Sequence, residues 1–201
     1  MDLPAIPGPD ETIADLSGLH PEIHRAFEHG VFKAKNHFEV EALDYDPSAF
    51  STLVRLHAKE YFKRKGLDAV EIEDVNLCGL SLRLPKYVIK MWKSDNSELP
   101  VPGRSEPKQE FYQQPILFPD EESNPLPLLH LAVLWNLNGS RNLTALWLVC
   151  PKSGHERSAE SYWCSRIPDP ASSIHVEVSQ VSPSDLQMEL KADPATKTKT
   201  G

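Results

Sequence analysis

Eight histidines and three cysteines are spread through the 201 residues, and their spacing sets the first chemical question. His20 and His24 stand four apart, with Glu28 at the same interval, the spacing that aligns metal ligands along one helix face. No HExxH glutamate or third ligand accompanies them, so the expected role is a solvent-facing pair in which His24 and Glu28 meet at the surface. Cys150, His155 and Cys164 form a second set of zinc-compatible softness, provided the chain segments that carry them converge. They lack CxxC spacing, and the commoner role of such cysteines is apolar packing in strands, with His155 on the KSGHERS loop. Ser153 or Cys150 beside His155 would supply a nucleophile and a base, but no group stands out to orient that base. There is no GxSxG elbow, no phosphate-binding loop and no GxGxxG, and nine glycines leave little material for a phosphate cradle.

Two further constellations lie in the middle of the chain. Glu71, Glu73 and Asp74 precede a strand and Lys90 follows on the next, the acid-and-lysine layout of a metal-dependent nuclease core. The Asp followed by Glu-x-Lys that such cores use is missing, and a solvated lead into the strand is the competing role of these acids. Arg83, Lys86, Lys90, Lys93, Arg104 and Lys108 then concentrate positive charge, with Tyr87, Trp92 and Tyr112 among them. Such a basic-aromatic surface suits an acidic protein partner, stacks on nucleobases, or keeps a hairpin soluble. Lys90, Trp92, Lys93 and Arg104 are its expected contact residues.

These groups must be positioned by helices and strands that the periodicity predicts. Pro21 suits a first helical turn, and Ile23, Phe27, Val31, Ala34 and Phe38 recur at intervals of three and four, which predicts an amphipathic helix from His20. A second starts at Pro47, capped by Asp46, stapled by Tyr45 and Phe50, and closed by Lys63, Arg64, Lys65 and Gly66. The period then becomes two. Leu80, Leu82 and Leu84 alternate before Pro85, YVIKMWK returns, and together they predict a hairpin. After a proline-rich connection over 94–127, with a helical turn around Gln109, Phe111 and Tyr112, LPLLHLAVLWNL and TALWLVC flank an NGSRN turn as a second, more apolar hairpin. SYWCSRI predicts a last core strand, and IHVEVSQV an edge strand. The expected fold is α+β: two N-terminal amphipathic helices on one face of a mainly antiparallel sheet of five or six strands. Residues 1–18 form a lead that orders only as a strap on the body, 19–182 a single domain, and 183–201 a disordered tail.

Composition narrows the partners. The 21 lysines and arginines against 29 acids give a net charge of −8, which argues against a general nucleic-acid binder. No apolar run is long enough to span a membrane, the N-terminus does not read as a signal peptide, and the odd, sparse cysteines suit reduced thiols, so the expected location is cytoplasmic. The composition calls for no cofactor.

The order of parts, with YVIKMWKSD, PKQEFYQQP and SYWCSRI as its motifs, resembles an uncharacterised bacterial family of small mobile-element and prophage proteins over about residues 19 to 168. Lys90, Lys93, Gln109 and Phe111 match the family pattern. Its members are often encoded beside a helix-turn-helix protein and an ImmA/IrrE-type metallopeptidase. The resemblance therefore implies a non-enzymatic component of a toxin-antitoxin or phage-defence module, binding that regulator or peptidase, and it implies no catalytic residue.

Overall fold

A computed structural model describes residues 6–75, 79–114 and 128–170. Three helices come first: α1 (Pro9–Asp15), α2 (His20–Val40) and α3 (Pro47–Lys65). They lead into β1 (Glu71–Val75), β2 (Gly79–Arg83) and β3 (Tyr87–Lys93), then α4 (Glu106–Tyr112), and then β4 (Leu129–Leu137), β5 (Leu143–His155) and β6 (Ser158–Arg166). The six strands form one sheet in chain order. Every neighbouring pair is antiparallel except β3 with β4, which run parallel. The fold is α+β, and IHVEVSQV, the tail from 183 and residues 115–127 of the proline-rich connection lie outside the described residues.

Helix α3 shows why local signals succeed. The Asp46 carboxylate accepts from the Ser48 and Ala49 amides at 2.6 and 3.0 Å, and Tyr45 and Phe50 meet with ring centroids 5.6 Å apart. Gly66 ends the helix at φ 61, where a side chain would be strained, and its amide returns to the Phe62 carbonyl at 3.1 Å. Part of the expected lead is the strap it needed to be. Within it, α1 is fastened where the Trp163 indole donates to the Pro7 carbonyl at 2.9 Å, and where Tyr87 Oη and Lys86 Nζ both donate to Asp15 Oδ2 at 2.8 Å.

Side-chain alternation divides the sheet into two faces. Leu80, Leu82, Ile89, Met91, Leu131, Val133, Trp135, Leu146, Leu148 and Cys150 turn toward α1–α3 and build the main core with Ile23, Phe27, Phe50, Val54 and Phe62. The reverse face is covered too: Leu99, Phe111 and Tyr112 pack on Ala132, Leu134 and Val149. A helix on this second face was not expected. It follows from the parallel joint, because a chain leaving β3 must cross over before entering β4 in the same direction. Leu99 and α4 lie on that crossover.

The sheet's two outer strands, among the described residues, are β1 and β6. β1 carries Glu71, Glu73 and Asp74 in five residues. β6 is longer but irregular: Cys150 pairs with Trp163 and Pro151 with Ser161, so Tyr162 is left over. The break falls where Pro151 has no amide to donate to the ladder.

Helices α2 and α3 touch closely at Gly30, where an added Cβ would lie 2.4 Å from the Val54 carbonyl oxygen. Alanine normally gains about 1 kcal/mol over glycine inside a helix, but here it must push two backbones apart. Gly30→Ala is expected to lower stability by about 1–3 kcal/mol in urea denaturation; a more stable variant would mean the helices are not in this contact.

Candidate interaction face

One row of residues crosses the second face in register: Glu73, Ser81, Lys90, Ala132, Val149 and Cys164. At its α4 end the small side chain of Ala132 and the absence of one at Gly154 let the helix sit close. A Cβ at Gly154 would come within 2.4 Å of the Tyr112 ring. Phe111 and Tyr112 therefore lie directly on the sheet, and Tyr112 Oη donates to the Pro100 carbonyl at 2.8 Å.

The centre of the face is a stack of three groups. The Phe111 ring lies 4.6 Å from the His130 imidazole at an interplanar angle of 9°, and Lys90 Nζ sits 4.3 Å from the Phe111 centroid. His130 is fixed by a 2.8 Å hydrogen bond between Nδ1 and the Phe111 carbonyl. The Gln114 amide holds the strand end beneath it, accepting from the His130 amide at 2.9 Å and donating to the carbonyls of His130 and Pro151, each at 2.8 Å. Beside this stack, Trp92 meets Phe111 and Tyr112 edge-on, both with centroids 5.4 Å away, and Lys108 Nζ lies 5.5 Å from the Trp92 ring.

Burial sets the electrostatics of these groups. It lowers the Lys90 pKa, an effect opposed by the carboxylates of Glu73 and Glu110. It lowers Lys108 as well. His130 is also held down by burial and pushed the same way by Lys90, against the hydrogen bond to Phe111. Neither lysine makes a hydrogen bond or ion pair to a carboxylate among the described residues; Lys108 Nζ donates only to the Val101 carbonyl at 3.3 Å. The face thus presents two cations that rest on aromatic rings while partly stripped of water.

Of the four expected contact residues, the structure brings Lys90 and Trp92 together. Lys93 falls at the alternate strand position, 3.9 Å from Asp95, and Arg104 donates to Glu156 at 3.0 Å from the loop before α4. The nuclease set is brought together in part. Glu73 and Lys90 share the row with Ser81 between them, but Glu73 accepts from Ser81 Oγ at 2.9 Å and from Arg83 at 3.3 Å. Glu71 is exposed, and Asp74 stands in register with Leu80.

The cysteine set does not converge. Cys150 and Cys164 lie on opposite faces, since Cys164 pairs with Val149 and not with Cys150. Burial pushes the Cys150 thiol up to about 12, while Cys164 donates to the Ser97 carbonyl at 3.3 Å. His155 ends β5, five residues beyond Cys150, on the order of 15 Å along an extended strand. Among the described residues no three His, Cys, Asp or Glu side chains are placed to hold a metal ion. The histidine pair also departs from expectation: His20 and His24 are buried, 4% and 6% exposed, whereas Glu28 is exposed. Residues that the sequence left without a role at this face are Gln114 and His130, while Lys108 was read as part of the basic cluster but not as a contact residue. The apolar alternation around His130 was a signal only for a strand.

Comparison with protein-family models, with curated proteins and with solved structures finds no match to this chain. Functional inference therefore rests on the geometry of the face. Among the described residues no helix is long and apolar enough to cross a membrane.

Because Trp92 is half-buried between Phe111 and Tyr112, Trp92→Ala is expected to cost about 2–3 kcal/mol, below the ~3–5 kcal/mol of a fully buried aromatic. Lys93→Ala should change stability by less than about 0.5 kcal/mol. Urea denaturation of both variants checks this, and equal effects would deny Trp92 its place in the packing.

Proposed function

We propose that this chain is a non-enzymatic interaction protein that captures an acidic protein partner on the α4 face of its sheet. The observation that carries this reading is the Lys90 ammonium, held over the Phe111 ring with no carboxylate hydrogen-bonded to it among the described residues. A carboxylate from a partner regains for that ammonium what burial removed, in a setting where water competes poorly. Trp92, Phe111 and Tyr112 supply the aromatic surround that binding hot spots use, and Lys108 supplies a second cation. Arg104 contributes at the rim, exchanging Glu156 for an acid on the partner, whereas Lys93, on the alternate side of β3, takes no part. A partner offering one or two carboxylates fits better than a polyphosphate chain, which a protein of net charge −8 repels at longer range.

The resemblance to small mobile-element and prophage proteins supplies the context of the proposal. The partner is the product of a neighbouring gene, a helix-turn-helix regulator or a metallopeptidase, in a toxin-antitoxin or phage-defence module of the cytoplasm. Co-expression with each neighbouring gene product tests it. A stoichiometric complex is expected, and Lys90→Gln with Lys108→Gln should weaken it at least about tenfold, or about 1.4 kcal/mol, while the variant still unfolds in a single cooperative transition. Raising salt should weaken the wild-type complex and leave the variant's residual binding nearly unchanged. Full-strength capture by the double variant would remove the face from the interaction.

A second reading is a metal-dependent nuclease-like enzyme, favoured by one observation: Glu73, Ser81 and Lys90 stand in one row. It requires Glu73 to leave Ser81 and Arg83 for a cation. Incubation of the purified chain with DNA and RNA in Mg²⁺ and Mn²⁺ separates the two readings. The interaction reading expects intact nucleic acid, and cleavage abolished by Lys90→Ala would establish the enzyme.

A further inference from the structure

His20 and His24 are the only histidines among the described residues that are buried on the helix side of the sheet, and they occupy successive turns of α2. The Nε2 atom of each is enclosed and has no hydrogen-bond partner among the described residues. Both lie at the N-terminal end of a 21-residue helix, where the backbone dipole opposes positive charge. His20 follows directly on the turn that joins α2 to the strap: the amides of Leu19 and His20 return to the Leu16 carbonyl at 2.9 and 3.1 Å, and Leu16 and Leu19 are buried with it.

The charged and titratable groups on the surrounding elements are already engaged. On α2 itself Glu22 accepts from Tyr61 Oη of α3 at 2.8 Å and pairs with Arg25 at 2.8 Å and with Lys65 of α3 at 3.5 Å. On α1 the Asp15 carboxylate is shared by Lys86 and Tyr87 of β3, and Glu11 adds negative charge near that pair. On β5 the Cys150 thiol is kept protonated by burial. No acid among these forms an ion pair with either imidazole. A proton added to His20 would be a buried charge with no acceptor, beside a second imidazole and at the wrong end of a helix.

We infer that the N-terminal strap, residues 7–19, is an acid-released latch, with the buried His20 as its trigger. Protonation drives the His20 imidazole toward water, and because His20 adjoins the Leu16–Leu19 turn, its exit carries the turn and α1 off the sheet. The release breaks the Trp163 bond to Pro7 and exposes the seats of Leu16 and Leu19. The sign follows from linkage. Burial, and then His24, lower the His20 pKa from 6.5 to about 4, so its contribution to holding the strap is complete above 6.5 and is lost as pH falls below it. Asp15, lowered first by its hydrogen bond from Lys86 and next by that from Tyr87, acts in the same direction but only at pH values below the ordinary carboxylate range.

The Trp163 indole N–H reports the latch directly, because it donates to Pro7. In nitrogen–proton correlation spectra recorded from about pH 7.5 down to about 4.5, its resonance should move to a water-exposed position between 6.5 and about 4. The indoles of Trp92, Trp135 and Trp147 should hold their positions over that range. In a His20→Gln, His24→Gln double variant the Trp163 transition should disappear from the range or shift down by at least about one pH unit. Four indoles moving together, a Trp163 signal that never moves, or an unchanged midpoint in the double variant would each overturn the latch. Should that variant not fold, the imidazole nitrogen shifts of the wild type decide instead: His20 must become charged in step with the Trp163 signal, and titration out of step overturns the proposal.

Discussion

The parallel joint between β3 and β4 is the constraint on which the rest of this structure depends. Antiparallel neighbours can be joined by a tight turn, but parallel ones need a crossover. That requirement sends the chain over the second face and seats α4 there. Phe111 is thereby slid between Lys90 of β3 and His130 of β4, two residues two register positions apart on adjacent strands. The same crossover buries the reverse side of Ala132, Leu134 and Val149, which explains why β4 and the middle of β5 are apolar on both faces. Candidate site and second core are therefore one structural consequence.

What was legible in the sequence was what is decided locally. The α3 cap, staple and glycine stop act within a few residues, and both hairpins are set by alternation and their turns, so the elements emerge close to where their patterns put them. β1 was read as a lead into the sheet because its three acids resemble a loop; an outer strand keeps such residues in solvent while its backbone still pairs with β2. The parallel pairing was not legible, since no local signal says which hairpin edges meet. His20 and His24 looked like surface residues because polar side chains at helical spacing suggested the outer side of α2, and the structure buries both.

The candidate site divides along the same line. Lys90 and Trp92 belong to one face because strand alternation says so, and that much followed from YVIKMWK. Their partners do not follow, because Phe111, Tyr112 and Lys108 arrive on a seven-residue helix well along the chain. Lys93 illustrates the converse: adjacent in sequence to Trp92, it stands at the alternate position of the same strand. A cluster of six positive residues in sequence thus became two cations resting on aromatic rings and four more already paired with acids.

Among the described residues, the two outer strands of the sheet discourage new neighbours by different means. β1 does so with carboxylates, whose effect fades as charge is screened or neutralised, whereas β6 does so by shape, through the residue left over at Tyr162. The irregularity at β6 does not depend on salt or acidity. A change of conditions that neutralised β1 would therefore leave the mismatch at Pro151 as a border of fixed irregularity.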